Sequence, residues 1–333
     1  MATNIPNEIL QAIFKFVDAK EERDYGTLFN CALVNRQWCN NAIPILWQDP
    51  FYGEKSDNVI KTLLSFLDND QLQQLDSIRN KIPLIENKKF DYPSFIRHLN
   101  LNFIWESLYE LYSPASPESA DTTDTADSKN TQPSSSDQSL TNEIELTFTV
   151  LLKMLARKIT NVRKFHINFK LHSCTQDEVS KGDIKNNILK LLLQPEISDL
   201  LRFTTELRWF QTKPYKGYFV ELAGICSNLE KLIISLGNFD ESQIDDATEF
   251  IRSQTHLKEL EIFNCNSDFY GCGPLTSLTK CENLRHLSFR YCTYIQKEMC
   301  SPLFAANFPK LKKVEAPFTS CPVLEEWAKN YSK

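Results

Sequence analysis

Leu229-x-x-Leu232-x-Ile234, Leu257-x-x-Leu260-x-Ile262-x-x-Cys265 and Leu284-x-x-Leu287-x-Phe289-x-x-Cys292 repeat one pattern, and Leu311-x-x-Val314-x-Ala316 follows it more loosely. The fourth-position residues Leu232, Leu260, Leu287 and Val314 stand 28, 27 and 27 residues apart. Around that position apolar side chains alternate with others, the pattern of a strand with one buried face. What remains of each period has room for a helix and two turns. Such a unit cannot cover its own apolar face, so neighbouring copies must stack on one another.

Working outward toward the amino terminus, Ile96-x-x-Leu99-x-Leu101, Val162-x-x-Phe165-x-Ile167 and Thr204-x-x-Leu207-x-Trp209 fit the same template with insertions between them. The template and period resemble a divergent leucine-rich repeat. The resemblance implies an α/β fold in which seven strands form one curved parallel sheet. Helices such as Ser242–Arg252 lie outside it, and Asp183–Leu200 reads as an elongated helix broken near Pro195. It also places Cys265 and Cys292 in the turn after a strand. Cys226, Cys281 and Cys321 stand three residues before a repeat opening, so all five read as packing thiols rather than redox or metal groups. The ten cysteines include no C-x-x-C pair, which argues against a structural zinc.

The first fifty residues read differently. Pro6 suits the start of a helix, and Ile9, Leu10, Ile13, Phe14 and Val17 form a wide apolar stripe at helical spacing. After the charged break Lys20–Asp24, two further short helices pass through Leu28, Cys31 and Ala32, then Trp38 and Ala42 to Pro44. Taken together, Ile5-Pro6-x-Glu8-Ile9-Leu10-x-x-Ile13-Phe14, Cys31-Ala32-Leu33-Val34-Asn35-Arg36-x-Trp38 and Ala42-x-Pro44-x-Leu46-Trp47-x-x-Pro50 resemble an F-box, in particular those abundant in fungi. Ile5 and Val17 stand where the family usually has Leu, and both replacements conserve volume and character. The resemblance implies docking to the Skp adaptor of a cullin–RING ubiquitin ligase. By position it implies adaptor contacts from Ile5, Pro6, Ile9, Leu10, Phe14, Leu33 and Val34. Trp38 and Trp47 read as core.

The expected organisation is therefore an F-box over 1–50, a helical bridge over 51–90 carrying Val59, Ile60, Leu63, Leu64 and Leu67, and a first repeat strand within 91–112. Residues 113–139 follow, a Ser/Pro-rich acidic insertion with no large apolar residue, expected to be disordered. The divergent repeats fill 140–333.

With 37 basic against 43 acidic residues the chain carries a net charge of −6, which speaks against a broad nucleic-acid surface. It lacks an apolar run of membrane-spanning length and an amino-terminal secretory pattern, so the expected location is cytoplasmic, nuclear or both. Eight glycines include no phosphate-cradling motif, and no hydrolase elbow or metalloprotease signature occurs. No catalytic residue, metal or cofactor is expected. Of five histidines, His98, His166 and His286 fall within repeat strands and read as solvated.

Alternation sets the outward residues of each strand. They are Lys164, His166 and Asn168; Glu206, Arg208 and Phe210; Lys231, Ile233 and Ser235; Glu259, Glu261 and Phe263; and His286, Ser288 and Arg290. Mixed charge favours a protein target, with Phe210, Ile233 and Phe263 as apolar anchors and His286 and Arg290 beside them. The expected function is a substrate receptor of a Skp–cullin–F-box ligase; the alternative is a non-degradative interaction scaffold.

Overall fold

A computed structural model describes residues 5–18, 24–52, 57–75, 77–83, 88–112, 135–169, 178–210, 212–237, 239–264, 277–292, 295 and 297–331. Its centre is a seven-stranded parallel sheet whose spatial order is the order of the chain. The strands are β1 (His98–Asn100), β2 (Lys164–Asn168), β3 (Glu206–Phe210), β4 (Lys231–Ser235), β5 (Glu259–Phe263), β6 (His286–Arg290) and β7 (Lys313–Glu315).

The register follows from the repeat. Leu99, Phe165, Leu207, Leu232, Leu260, Leu287 and Val314 pair in one continuous row across all seven strands. Every member is buried. A second row, Ile167, Trp209, Ile234, Ile262 and Phe289, runs parallel to it and is also fully enclosed. A one-residue slip would turn both rows to solvent, which is why the register is so strongly specified.

The mouth of each strand shows how one repeat seats the next. Arg163 and Lys164 N–H groups both donate to the Arg97 carbonyl, at 2.7 and 3.1 Å, and Thr205 and Glu206 donate to the Arg163 carbonyl. The device recurs at Thr205, Glu230, Lys258 and Arg285. Its first rung is Gln48, whose carbonyl takes Arg97 and His98 N–H at 2.8 and 3.0 Å. Gln48 lies just past the third helix of the amino-terminal unit, so that unit begins the ladder. Trp47 packs on Tyr92, with ring centroids 4.4 Å apart, and Phe51 enters the main core against Phe103.

The amino-terminal unit contains α1 (Asn7–Asp18), α2 (Tyr25–Val34) and α3 (Arg36–Leu46). Asp24 caps α2 by accepting from Thr27 N–H, and Asn35 caps α3 by accepting from Trp38 N–H. Leu10, Phe14, Leu28, Ala32, Ala42 and Ile45 form a small core separate from the main one. Trp38 lies edge-on to Phe14, 5.4 Å away. Helix Asp57–Leu64 follows, burying Ile60, Leu63 and Leu64.

Helices Glu178–Leu192 and Pro195–Arg202 meet at the expected Pro195 break, and helix Glu241–Ser253 sits where the repeat requires one. The expected insertion 113–139 needs correction at its end. A helix runs Ser135–Lys158, because the apolar positions Ile144, Phe148, Leu151, Leu152 and Leu155 anchor it in the core and helix propagates cheaply from an anchored segment. Residues 113–134 lie outside the described residues.

The thiols fit the packing reading. Cys226, Cys281, Cys292 and Cys321 are all buried, and Cys292 Sγ sits 3.7 Å from the Ile262 carbonyl. Burial pushes the Cys226 thiol up to about 12 and the Cys281 thiol up to about 11. Neither is a thiolate at neutral pH. Cys265 lies outside the described residues.

Candidate functional site

Two faces stand out. The first is built by α1 and α2. Within the apolar stripe of α1, Leu10 and Phe14 point into the small core and are fully enclosed. That corrects their expected place among the adaptor contacts: they hold the unit together. The adjacent row, Ile9, Ile13 and Phe16, turns outward, Ile9 being 52% and Phe16 74% exposed. Alongside on α2 are Phe29, Leu33 and Val34, with Leu33 67% exposed. Pro6 is exposed and Ile5 half-buried, so of the expected set Pro6, Ile9, Leu33 and Val34 are open to a partner. Ile13, Phe16 and Phe29 were missing from it. For Ile13 the signal was the width of the α1 stripe, which holds two rows of which a single core can cover only one; Phe16 and Phe29 lie outside that stripe.

Two helices each carrying an apolar row left open by the described residues are unusual on a folded surface, and such concentrations mark interaction sites. Beneath them the unit is pinned by polar side chains. Gln37 Nε2 donates to the Ile5 carbonyl at 2.6 Å and to Asn7 Oδ1 at 3.1 Å. Asn41, itself buried, donates to Asn7 Oδ1 at 3.0 Å and accepts from Gln11 at 3.1 Å.

The second face is the open side of the sheet, which carries the alternate residues of each strand. Its charges answer one another. Glu206 meets Arg208 at 2.7 Å and Lys164 at 3.4 Å. Lys231 reaches Glu259 at 2.8 Å and Glu261 at 3.3 Å. Arg290 bridges Glu261 and Glu315, each at 3.7 Å, and His286 Nε2 contacts Glu315 at 3.1 Å. Desolvation alone would raise the Glu206 carboxyl; Arg208, Lys164 and Lys231 outweigh it and hold it below the usual range.

Rings cross the strands above this network. His166 lies 5.9 Å from Phe210, Phe210 lies 5.3 Å from Phe263, and the Arg290 guanidinium sits 5.9 Å over the Phe263 ring. Phe210 on β3 and Phe263 on β5 meet above β4, where the small Ser235 leaves room. The expected residues Phe210, Phe263, His286 and Arg290 therefore share one face, each half-buried. Ile233 is on that face too, in register with Arg208 and Glu261. At 6% exposure it is closed in among its neighbours, so the expectation of an open anchor there is corrected.

The histidines are not solvated as expected. His98 Nδ1 contacts Asp49 at 2.8 Å, joining β1 to the segment after α3. His166 is more deeply held. Burial, with Arg208 adding to it and Glu206 opposing, pulls its pKa down to about 4. Among the described residues no group of His, Cys, Asp and Glu is placed to hold a metal ion, and no helix is long and apolar enough to cross a membrane.

A family model described as F-box-like matches residues 2–52, the three-helix unit with the outward apolar rows. The chain thus carries an amino-terminal F-box-like domain followed by an α/β repeat sheet. No curated protein matches it.

Proposed function

We propose that this protein is a substrate-recognition subunit of a Skp–cullin–F-box ubiquitin ligase. The observation that carries the reading is the apolar surface of α1 and α2, lying within the F-box-like match. The adaptor covers Ile9, Ile13, Phe16, Phe29, Leu33 and Val34, and through it the chain joins a cullin–RING ligase. The open face of the sheet, with Phe210, Phe263, His286 and Arg290, receives a target protein.

No bond chemistry is assigned to the chain. Its contribution is to hold the target near a recruited ubiquitin-conjugating enzyme, raising the effective concentration of the reacting groups. The Gln48 rung and the His98–Asp49 contact support a fixed angle between docking unit and target face.

The test is direct binding of the purified chain to a purified Skp adaptor, followed by assembly with cullin. A stable three-part complex supports the reading. Failure of the chain to bind any Skp adaptor, with the domain folded by circular dichroism, removes it.

A further inference from the structure

A cavity of about 260 Å3 opens at the amino-terminal end of the open face, where the segment after α3 meets β1, β2 and β3. Asp49, Tyr52, Asn100, Lys164, His166 and Arg208 contribute to its wall. Its hydrogen-bonding capacity is one-sided. The carboxylate in the wall, Asp49, is already engaged by His98. Asn100 uses its amide oxygen to accept from Phe103 N–H at 3.2 Å, which leaves its NH2 group.

Lys164 and Arg208 share a single carboxylate, Glu206. Arg208 spends Nε and one terminal nitrogen on the same Glu206 oxygen, so its other terminal nitrogen is left, as are further donors on Lys164. His166 Nε2 is shielded and has no partner among the described residues. The surplus donors of Lys164, Arg208 and Asn100 call for an acceptor. Lys164 and Arg208 offset Glu206 and Asp49 in charge, so the surplus is one of donors and not of charge, and a monoanion disturbs that balance less than a dianion. The space is below the roughly 300–1,000 Å3 of a drug-sized pocket and suits a group the size of a side chain.

We propose that this cavity binds a carboxylate, held by Lys164 Nζ, the spare terminal nitrogen of Arg208 and the Asn100 amide. The carboxylate comes from an Asp or Glu of a protein lying on the sheet or from a small free acid. The site does not depend on adaptor docking, and its test uses the full chain alone.

His166 is the reporter. The charged and titratable groups around it are Lys164 on its own strand, Arg208 and Glu206 on β3, His98 on β1, and Asp49. A negative charge added to the cavity favours the protonated imidazole and raises its pKa. Histidine-selective 15N labelling, with the resonance assigned through His166→Phe, follows this directly. The probes are sodium acetate, a blocked peptide with one glutamate, its glutamine counterpart, and sodium chloride at matched ionic strength.

Saturable shifts of the His166 signal with acetate or the glutamate peptide, accompanied by a raised pKa, support the site. Lys164→Gln and Arg208→Gln should each weaken that binding about tenfold, as expected for loss of a charge-assisted bond, with His286 signals unmoved as a check on the fold. Glutamate peptide bound at least about tenfold tighter than acetate identifies a side chain as the source; equal binding identifies a small acid. Shifts equally produced by chloride or by the glutamine peptide overturn the proposal. So does binding insensitive to Lys164→Gln, an exposed position whose loss does not endanger folding.

Discussion

The α1–α2 surface and the open face of the sheet are both candidate docking surfaces, and they meet solvent in opposite ways. On α1 and α2 apolar side chains stand exposed in two adjacent rows that none of the described residues covers. On the sheet, most charges pair with charges and rings with rings within the chain, the cavity beside Lys164 and Arg208 being the exception. A face of the first kind is incomplete alone and suits a standing subunit, because burying it is favourable with any apolar partner of matching shape. A face of the second kind is stable while empty and suits an intermittent guest. A guest there gains by desolvating Phe210 and Phe263 and must match the charge pattern, which governs specificity more than affinity.

The sharpest way to break this comparison is to charge the first face. Leu33→Asp and Ile9→Asp should abolish adaptor binding while leaving the melting temperature unchanged, since an exposed residue changes little in the free chain. In the complex the carboxylate would be desolvated at a cost of several kcal/mol. Phe14→Asp should instead unfold the three-helix unit. Adaptor affinity and helical content measured on the three variants separate docking from core. Intact binding by both exposed variants would rule out the face.

On the sheet, Leu260→Ala should destabilise by about 2–5 kcal/mol, as truncation of a fully buried Leu does, measured by denaturant unfolding. Phe263→Ala, on the opposite side of the same strand, should cost well under half of that. Equal losses would mean that Phe263 is core and the open face is not a surface at all.

Acid gives a third comparison. A His166 pKa near 4 in the folded chain lies below the usual value of about 6.5, so between those values the unfolded chain binds the extra proton. Stability should therefore fall as pH drops from about 6.5 toward 4, by about 3 kcal/mol from this residue. His166→Phe should flatten that slope, most cleanly above about pH 5, before carboxylates such as Glu206 and Glu315 protonate. An unchanged slope would show that His166 titrates normally.

The smallest effect belongs to the charge network. Lys231→Met should cost about 1 kcal/mol or less, partly exposed pairs being weak, and 1 M salt should shrink the difference between variant and parent. A loss of several kcal/mol would mean that the network is a structural core and not a resting surface.

Much of this was legible in the chain itself. The 27- and 28-residue spacing, with alternation around Leu232, Leu260 and Leu287, fixed which side chains of β4, β5 and β6 face inward, because a strand has only two sides. The same alternation placed Phe210, Phe263, His286 and Arg290 together. On α1 the reading was coarser: helical periodicity located the apolar stripe but could not divide it. Leu10 and Phe14 went inward and Ile9, Ile13 and Phe16 outward only because α2 and α3 pack on one row. Residues 135–139 misled for a related reason, since their composition is that of a loop and their helix is anchored from downstream.

Sequence, then, determined the face on which each repeat residue lies, because that depends on the local backbone period alone. Tertiary structure decided who its neighbours are. Phe210 meets Phe263 across an intervening strand, Asp49 meets His98 across the bridge, and Lys164 and Arg208 come to share Glu206 beside a cavity. Such contacts depend on how far each insertion lets the next repeat turn and settle. No local period encodes that; only the packing of all seven strands does.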